Sequence, residues 1–273
     1  MISNHQRLKL PPRLASWAGP DIAVSLYGRD GAPRILVQGG ISANHQLLSD
    51  NGERAGWWPG LIGPDSLFNP HDYQLLGIDF AADDQGHFAP STSDQADVVA
   101  YCLEALDIDQ IDLFIGASYG AMVGMALSLI RPALIEALIL ISAPAAPHSN
   151  ATAMRDLQRQ IVNFGLAKGD GDQGLVLARA LAMTGYRSPK EFAQRFAPGL
   201  RGSDPRRPTA PGDYLLTRGK AYPKVMSPGR FLSLSGSIDR HQVDVSRIDQ
   251  PALIIGALSD QLVPPEQLEA LAA

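Results

Sequence analysis

Five residues, Gly116-Ala117-Ser118-Tyr119-Gly120, constrain the fold of this 273-residue chain more than any other stretch. They fit the pattern G-x-S-x-G, with the apolar run Ile111–Ile115 before them and the apolar segment AMVGMALSL after them. A nucleophilic serine on a strand-to-helix turn needs small neighbours, because the turn is strained and the backbones approach closely. Gly116 and Gly120 supply them, and Ala117 adds little bulk. The helix start also aims backbone N–H groups at any oxyanion beside the serine. Glycine occurs 26 times, often enough for a chance match, but here both flanks are correct, and they favour a nucleophile at Ser118.

The rest of the first half agrees with that turn. Ile22–Tyr27, Arg34–Val37, Tyr73–Phe80, Ile111–Ile115 and Ala137–Ile141 are short, rich in Ile, Leu and Val, and bounded by Gly, Pro or Asp, as buried strands are. Ser93–Leu106 repeats its apolar residues at helical spacing, so strands and helices alternate. That order predicts a mostly parallel sheet covered on both faces. After Pro147 the texture turns helical, with candidates at Ala151–Phe164, Gly174–Ala182 and Ser188–Phe196, and a polar loop at Gly202–Gly212. Strand character returns at Pro251–Gly256, followed by a helix at Pro264–Leu271. The expected architecture is an α/β core, residues 1–147 and 248–273, with a helical lid inserted at 148–247. A hydrophobic share of 45% is ample for one such core.

Composition excludes several functions. A net charge of −5 without a basic run gives no footprint for nucleic acid. No stretch is apolar for long enough to span a membrane, and the N-terminus lacks the apolar core of a secretory signal. One cysteine, Cys102, makes no internal disulfide, so a cytoplasmic protein is expected. The aspartates of Lys168–Gly174 lack a closing glutamate for calcium, no Cys/His cluster has zinc spacing, and no phosphate-binding G-x-x-x-x-G-K-[ST] loop is present. No metal or cofactor is therefore expected.

Two further segments bear on chemistry at Ser118. Gln38-Gly39-Gly40-Ile41-Ser42 directly follows a strand, where a main-chain N–H can join that of Tyr119 as an oxyanion donor. Asp260 lies just past the late strand, where the acid of a Ser–His–Asp triad or a simple helix cap would sit. The histidine is the difficulty. His5, His45, His71, His87, His148 and His241 all precede Asp260, and none of the thirteen residues after it is His. His45 and His87 read as ordinary loop residues, and the chain is expected to be C-terminally incomplete.

The segment GERAGWWPGLIGPDSLFNPHDYQLLGIDF resembles the homoserine O-acyltransferase family of α/β-hydrolase-fold enzymes. SDQADVVAYCLEALDI, GASYGAMVGMAL, MRDLQRQIV, LVLARALAMTGYRS and SDQLVPPEQ match it in register. Gly-Gly-Ile-Ser-Ala in place of the usual His-Ala-Leu-Thr-Gly, together with the elbow, resembles the homoserine O-succinyltransferase branch. The resemblance implies a ping-pong transfer from succinyl-CoA to L-homoserine for methionine synthesis, with acyl-CoA as co-substrate. It implies Ser118 as nucleophile, Asp260 as triad acid, and Ile41 and Tyr119 as oxyanion backbone. Arg179 is implied to bind the amino-acid substrate, where a guanidinium suits a carboxylate. A homodimer through the lid fits the same family. Tyr186 and Arg159 are weaker candidates in the same lid, expected to be packing and surface residues respectively, and Trp57 and Trp58 are expected to pack a loop sooner than to wall the acyl channel. The DFAADDQGHF loop, with Asp83, Asp84 and His87, is expected to bear on access to the site. Without the family's Gly-His-Asp segment, a chain ending at Ala273 is expected to be nearly inactive. Rival readings are a homoserine O-acetyltransferase, a plain esterase, and a non-catalytic binding module.

Overall fold

The computed structural model describes residues 2–48, 56–200 and 202–273; the start of the tryptophan segment, residues 52–55, lies outside them. Among the described residues seven strands form one sheet: β1 Ile2–Lys9, β2 Asp21–Gly28, β3 Arg34–Gln38, β4 Gln74–Ile78, β5 Leu113–Ala117, β6 Leu138–Ile141 and β7 Ala252–Ile255. Their spatial order is β1-β2-β4-β3-β5-β6-β7. β1 and β2 pair antiparallel, as do β2 and β4, and every later pairing is parallel.

Successive side chains alternate across the sheet and divide the core in two. Leu36, Leu76, Ile78 and Phe114 pack with helices α1 (Pro12–Ala18), α2 (Thr92–Ala105) and α3 (Tyr119–Ile130). Ile35, Val37, Leu75 and Ile115 pack on the other side with Leu47, Ile62 and Phe68, which come from loops. Between β6 and β7 lie α4 (Ser149–Ala167), α5 (Gly171–Ala182), α6 (Pro189–Arg195), α7 (Ala210–Lys220) and α8 (Pro228–Asp239), with no strand among the described residues there. α9 (Pro265–Ala272) follows β7. The inserted helices share the larger core through Val162, Leu175, Tyr222, Phe231 and Leu234.

Four elements differ from the sequence reading, the short α1 among them. β1 is almost entirely polar, and it exists because it pairs along one side only, with β2. α7 starts at Ala210, inside the stretch expected to be loop, capped by Thr209 with Pro in its first turn. α8 contains three serines and two glycines, poor helix formers, yet Ser233, Ser235 and Ser237 are buried, so packing overrides propensity. β7 is an edge strand whose Leu253 and Ile255 are 55% and 42% exposed.

The turn from β5 into α3 leaves no room for side chains at its glycines. A Cβ at Gly116 would collide with the Cα of Ala121, and one at Gly120 with the carbonyl of Gln38, whereas one at Gly40 meets nothing within 4 Å. Gly120→Ala is expected to cost about 3 kcal/mol or more and Gly40→Ala less than about 1 kcal/mol, measured by urea unfolding.

His241 joins three segments: Nδ1 bonds the Thr92 hydroxyl at 2.8 Å and Nε2 the Pro144 carbonyl at 3.1 Å. Burial pulls its pKa down from 6.5 to about 4. Between those values the unfolded chain binds the proton and the folded one does not, so stability is complete above pH 6.5 and is lost as pH falls toward 4. The loss is expected to reach about 3 kcal/mol and to be absent from His241→Gln, compared by denaturant unfolding across that range.

Candidate active site

Ser118 stands where β5 turns into α3, with φ 54 and ψ −119, a backbone region that L-residues rarely adopt. Two hydrogen bonds hold it there. Its N–H donates to the carbonyl of Ile141 on β6 at 2.7 Å, and the N–H of Gly120 donates to the carbonyl of Gly39 at 2.8 Å. The second bond draws the Gln38–Ser42 turn against the elbow. Ser118 itself is exposed, and it opens into a cavity of about 660 Å³.

Ile41 and Ser118 both line that cavity. Tyr119 does not: its side chain is fully buried, its ring 4.8 Å from that of Phe80 and its hydroxyl bonded to Ser237 of α8. Burial pushes the Tyr119 hydroxyl pKa up, so the group stays protonated. Only the backbone of Tyr119 is free for chemistry, and its N–H, first in the helix, has no intrahelical acceptor. The Ile41 N–H likewise donates no backbone hydrogen bond among the described residues.

Asp260 lines the same cavity just beyond β7. Its Oδ1 accepts the N–H groups of Leu262 at 2.9 Å and Val263 at 3.1 Å, while Oδ2 takes no hydrogen bond among the described residues. One oxygen is thus fixed and the other left open, the arrangement an orienting carboxylate needs. No histidine bonds to Asp260 or Ser118 among the described residues. His45 is held by Asp79 at 2.9 Å, His87 is exposed outside the cavity, and His241 is buried elsewhere. His148 is, among the described residues, the one histidine in the cavity wall; its Nδ1 accepts the Asn150 N–H at 3.3 Å and caps α4.

Arg179 extends from α5 into the cavity between two aromatic rings, 5.0 Å from that of Tyr186 and 4.7 Å from that of Tyr222. It bonds the Tyr186 hydroxyl at 3.1 Å and has no carboxylate partner among the described residues. The Tyr222 hydroxyl meets Ser42 at 2.8 Å, which ties the Gln38–Ser42 turn to the inserted helices. Arg187, also in the wall, is committed to Glu191 and to the Tyr214 hydroxyl.

Four expectations need correction. Tyr186 is 51% exposed and faces the cavity, because it serves Arg179 and not the core. Arg159 is no surface residue: its side chain is 19% exposed and pairs with Asp239 at 2.6 Å. Trp57 lines the cavity, its ring against Gly39 and stacked on Trp58, so Gly39 is small because an indole occupies the space of its Cβ. The Asp83–His87 loop docks on α8 and does not border the cavity: the Asp83 N–H donates to Ser233 at 3.0 Å and Arg230 bonds the Phe80 carbonyl at 2.6 Å. Burial opposes ionisation of Asp83, but the N–H groups of Gln85, His87 and Phe88 outweigh it and hold the pKa below the usual value. Sequence reasoning missed Ser42, Tyr222, Arg155 and Gln158. The 151, 154, 155, 158 spacing on α4 was the available sign that one helix face lines the site.

Residues 33–273 match the alpha/beta hydrolase fold family. The homoserine O-succinyltransferase of Xanthomonas campestris pv. campestris is 36% identical over 97% of this chain and 72% of its own length. The homoserine O-acetyltransferase of Clavibacter michiganensis subsp. michiganensis is 24% identical over 90% of this chain and 76% of its own. The crystal structure of esterase E22 superposes with a TM-score of 0.84 at 17% identity, covering 99% of this chain and 89% of that one, a likeness of fold alone. An identity of 36% carried across nearly the full length reflects common descent, and the chain belongs to the homoserine O-acyltransferase family of the α/β-hydrolase fold.

Proposed function

We propose that this protein moves a succinyl group from succinyl-CoA to the hydroxyl of L-homoserine through an ester on Ser118. The observation that carries this reading is the shared cavity. A strained, exposed serine opens into the same space as Arg179, a cation with no carboxylate partner among the described residues. An esterase needs the first feature only; an amino-acid acceptor also needs the second. The Xanthomonas relative supplies the succinyl donor, and the Clavibacter relative makes acetyl-CoA the nearest alternative.

In the first half-reaction the Ser118 hydroxyl attacks the thioester carbonyl. The N–H groups of Ile41 and Tyr119 receive the oxyanion, and the carbon–sulfur bond breaks as the thiol leaves with the serine's proton. In the second, the homoserine hydroxyl attacks the ester, Ser118 recovers its proton, and O-succinylhomoserine departs. Arg179 grips the homoserine carboxylate, and its stacking between Tyr186 and Tyr222 fixes the direction of that grip. Asp260 Oδ2 is open to orient an imidazole as the general base. The chemistry uses acyl-CoA as co-substrate and no further cofactor.

Mass spectrometry after incubation with succinyl-CoA is expected to show a succinyl adduct on Ser118 that L-homoserine discharges and that Ser118→Ala lacks. Faster adduct formation from acetyl-CoA would reject the donor, and discharge by water at the same rate would reject the acceptor. Arg179→Leu is expected to raise the homoserine KM about 10- to 100-fold with a smaller change in adduct formation, read by steady-state kinetics.

A further inference from the structure

The cavity wall includes Arg187 and Ser188, which lead into α6, and one hydrogen bond beyond that wall three guanidinium groups gather on a single phenol. Around the Tyr214 ring, Arg195 lies 4.8 Å from the centroid, Arg218 5.5 Å and Arg187 5.7 Å. They come from three places: Arg187 precedes α6, Arg195 is in its last turn, and Arg218 is in the last turn of α7. Arg187 also donates to the Tyr214 hydroxyl at 3.1 Å and pairs with Glu191. Arg195 and Arg218 have no carboxylate partner among the described residues; Arg195 meets a second ring, Phe196, at 5.7 Å.

A cation in the last turn of a helix is favoured by the helix dipole, which accounts for Arg195 and Arg218 singly. It does not account for their meeting. Like charges brought to one ring repel, and the quadrupole of a phenol offsets only part of that cost. The surplus shows at the Tyr214 hydroxyl. Its pKa lies below the usual value because the hydrogen bond from Arg187 outweighs burial and the Arg218 guanidinium adds to it. Both Arg195 and Arg218 are exposed, so this positive field faces solvent. Contact with a ring face leaves N–H groups for an anion, and a fork of such groups matches the oxygens of a phosphate.

We propose that Arg195 and Arg218, with Arg187 behind them, form the binding site for the phosphate groups of the coenzyme A donor. The inference rests on the transferase reading and deepens it. An acyl-CoA carries its phosphates at the opposite end of the pantetheine arm from its thioester. A donor whose carbonyl reaches Ser118 must therefore leave them outside the cavity. Arg187 belongs both to the wall and to the cluster on Tyr214, so it marks where the arm passes from one to the other.

The test is equilibrium binding to the Ser118→Ala protein, which cannot be acylated there, with succinyl-CoA and S-succinylpantetheine, the same thioester without phosphates, as probes. Succinyl-CoA is expected to bind at least tenfold more tightly, and Arg195→Gln combined with Arg218→Gln is expected to bring the two within about threefold through weaker binding of succinyl-CoA alone. Reading a ratio separates phosphate recognition from a folding defect, which weakens both thioesters together. Adenosine 3′,5′-bisphosphate is the competitor, expected to displace succinyl-CoA from the Ser118→Ala protein. Bisphosphate binding that the double substitution abolishes, but that does not displace succinyl-CoA, marks a phosphate site unconnected with the donor and overturns the inference. A preference for succinyl-CoA that survives the double substitution, or no preference at all, overturns it too. In each of those cases a thioester still binds and the transferase reading stands. Binding of neither thioester by a folded protein removes that reading, and this inference with it.

Discussion

Everything in this molecule that bears on chemistry depends on one residue held in an unfavourable conformation. A non-glycine residue at φ 54, ψ −119 costs about 1–3 kcal/mol and persists only where the surroundings over-determine it. Here they do. The hydrogen bond to Ile141 fixes the strand side, the Gly120–Gly39 bond fixes the neighbouring turn, and α3 is buried from Tyr119 through Ser128. Phe114 occupies the space a side chain at Gly124 would need, so β5 and α3 lie too close to relax apart. Strain placed there keeps the hydroxyl out of the core and leaves the first N–H of the helix unspent.

Strands β3 to β6 were legible because a strand buried on both faces must be continuously apolar, and such runs are hard to mistake when Gly, Pro or Asp bounds them. The elbow was legible because its glycines answer a contact and not a propensity. β1 was hidden by its polar edge, and α8 by serines that pack well and form helices poorly. The cavity wall was harder still. Ser42 and Tyr222 meet across 180 positions of sequence, and Arg155 meets Asp239 across 84, so no local pattern joins them. Family resemblance pointed to Arg179, but it did not show that Tyr186 and Tyr222 flank it or that Arg159 turns inward.

The arginines of the wall differ in how far each is already engaged. Arg187 has Glu191, Arg155 has half of Asp239, and Arg179 has only aromatic rings and a phenol. A cation over ring faces keeps much of its attraction for an anion, since the rings offer quadrupole and not charge. That gradation, more than the count of positive residues, sets how much attraction for an anion each part of the wall retains.

The inserted helices are fastened to the core at several points. Tyr119 reaches Ser237, Ser42 reaches Tyr222, Arg230 bonds the Phe80 carbonyl, and Val162, Leu175 and Leu234 belong to the same apolar cluster as the strands. A cover pinned in this way does not swing on a hinge. Opening it would break the buried packing of Val162, Leu175 and Leu234 as well as these hydrogen bonds, so the cover is as stable as the core beneath it.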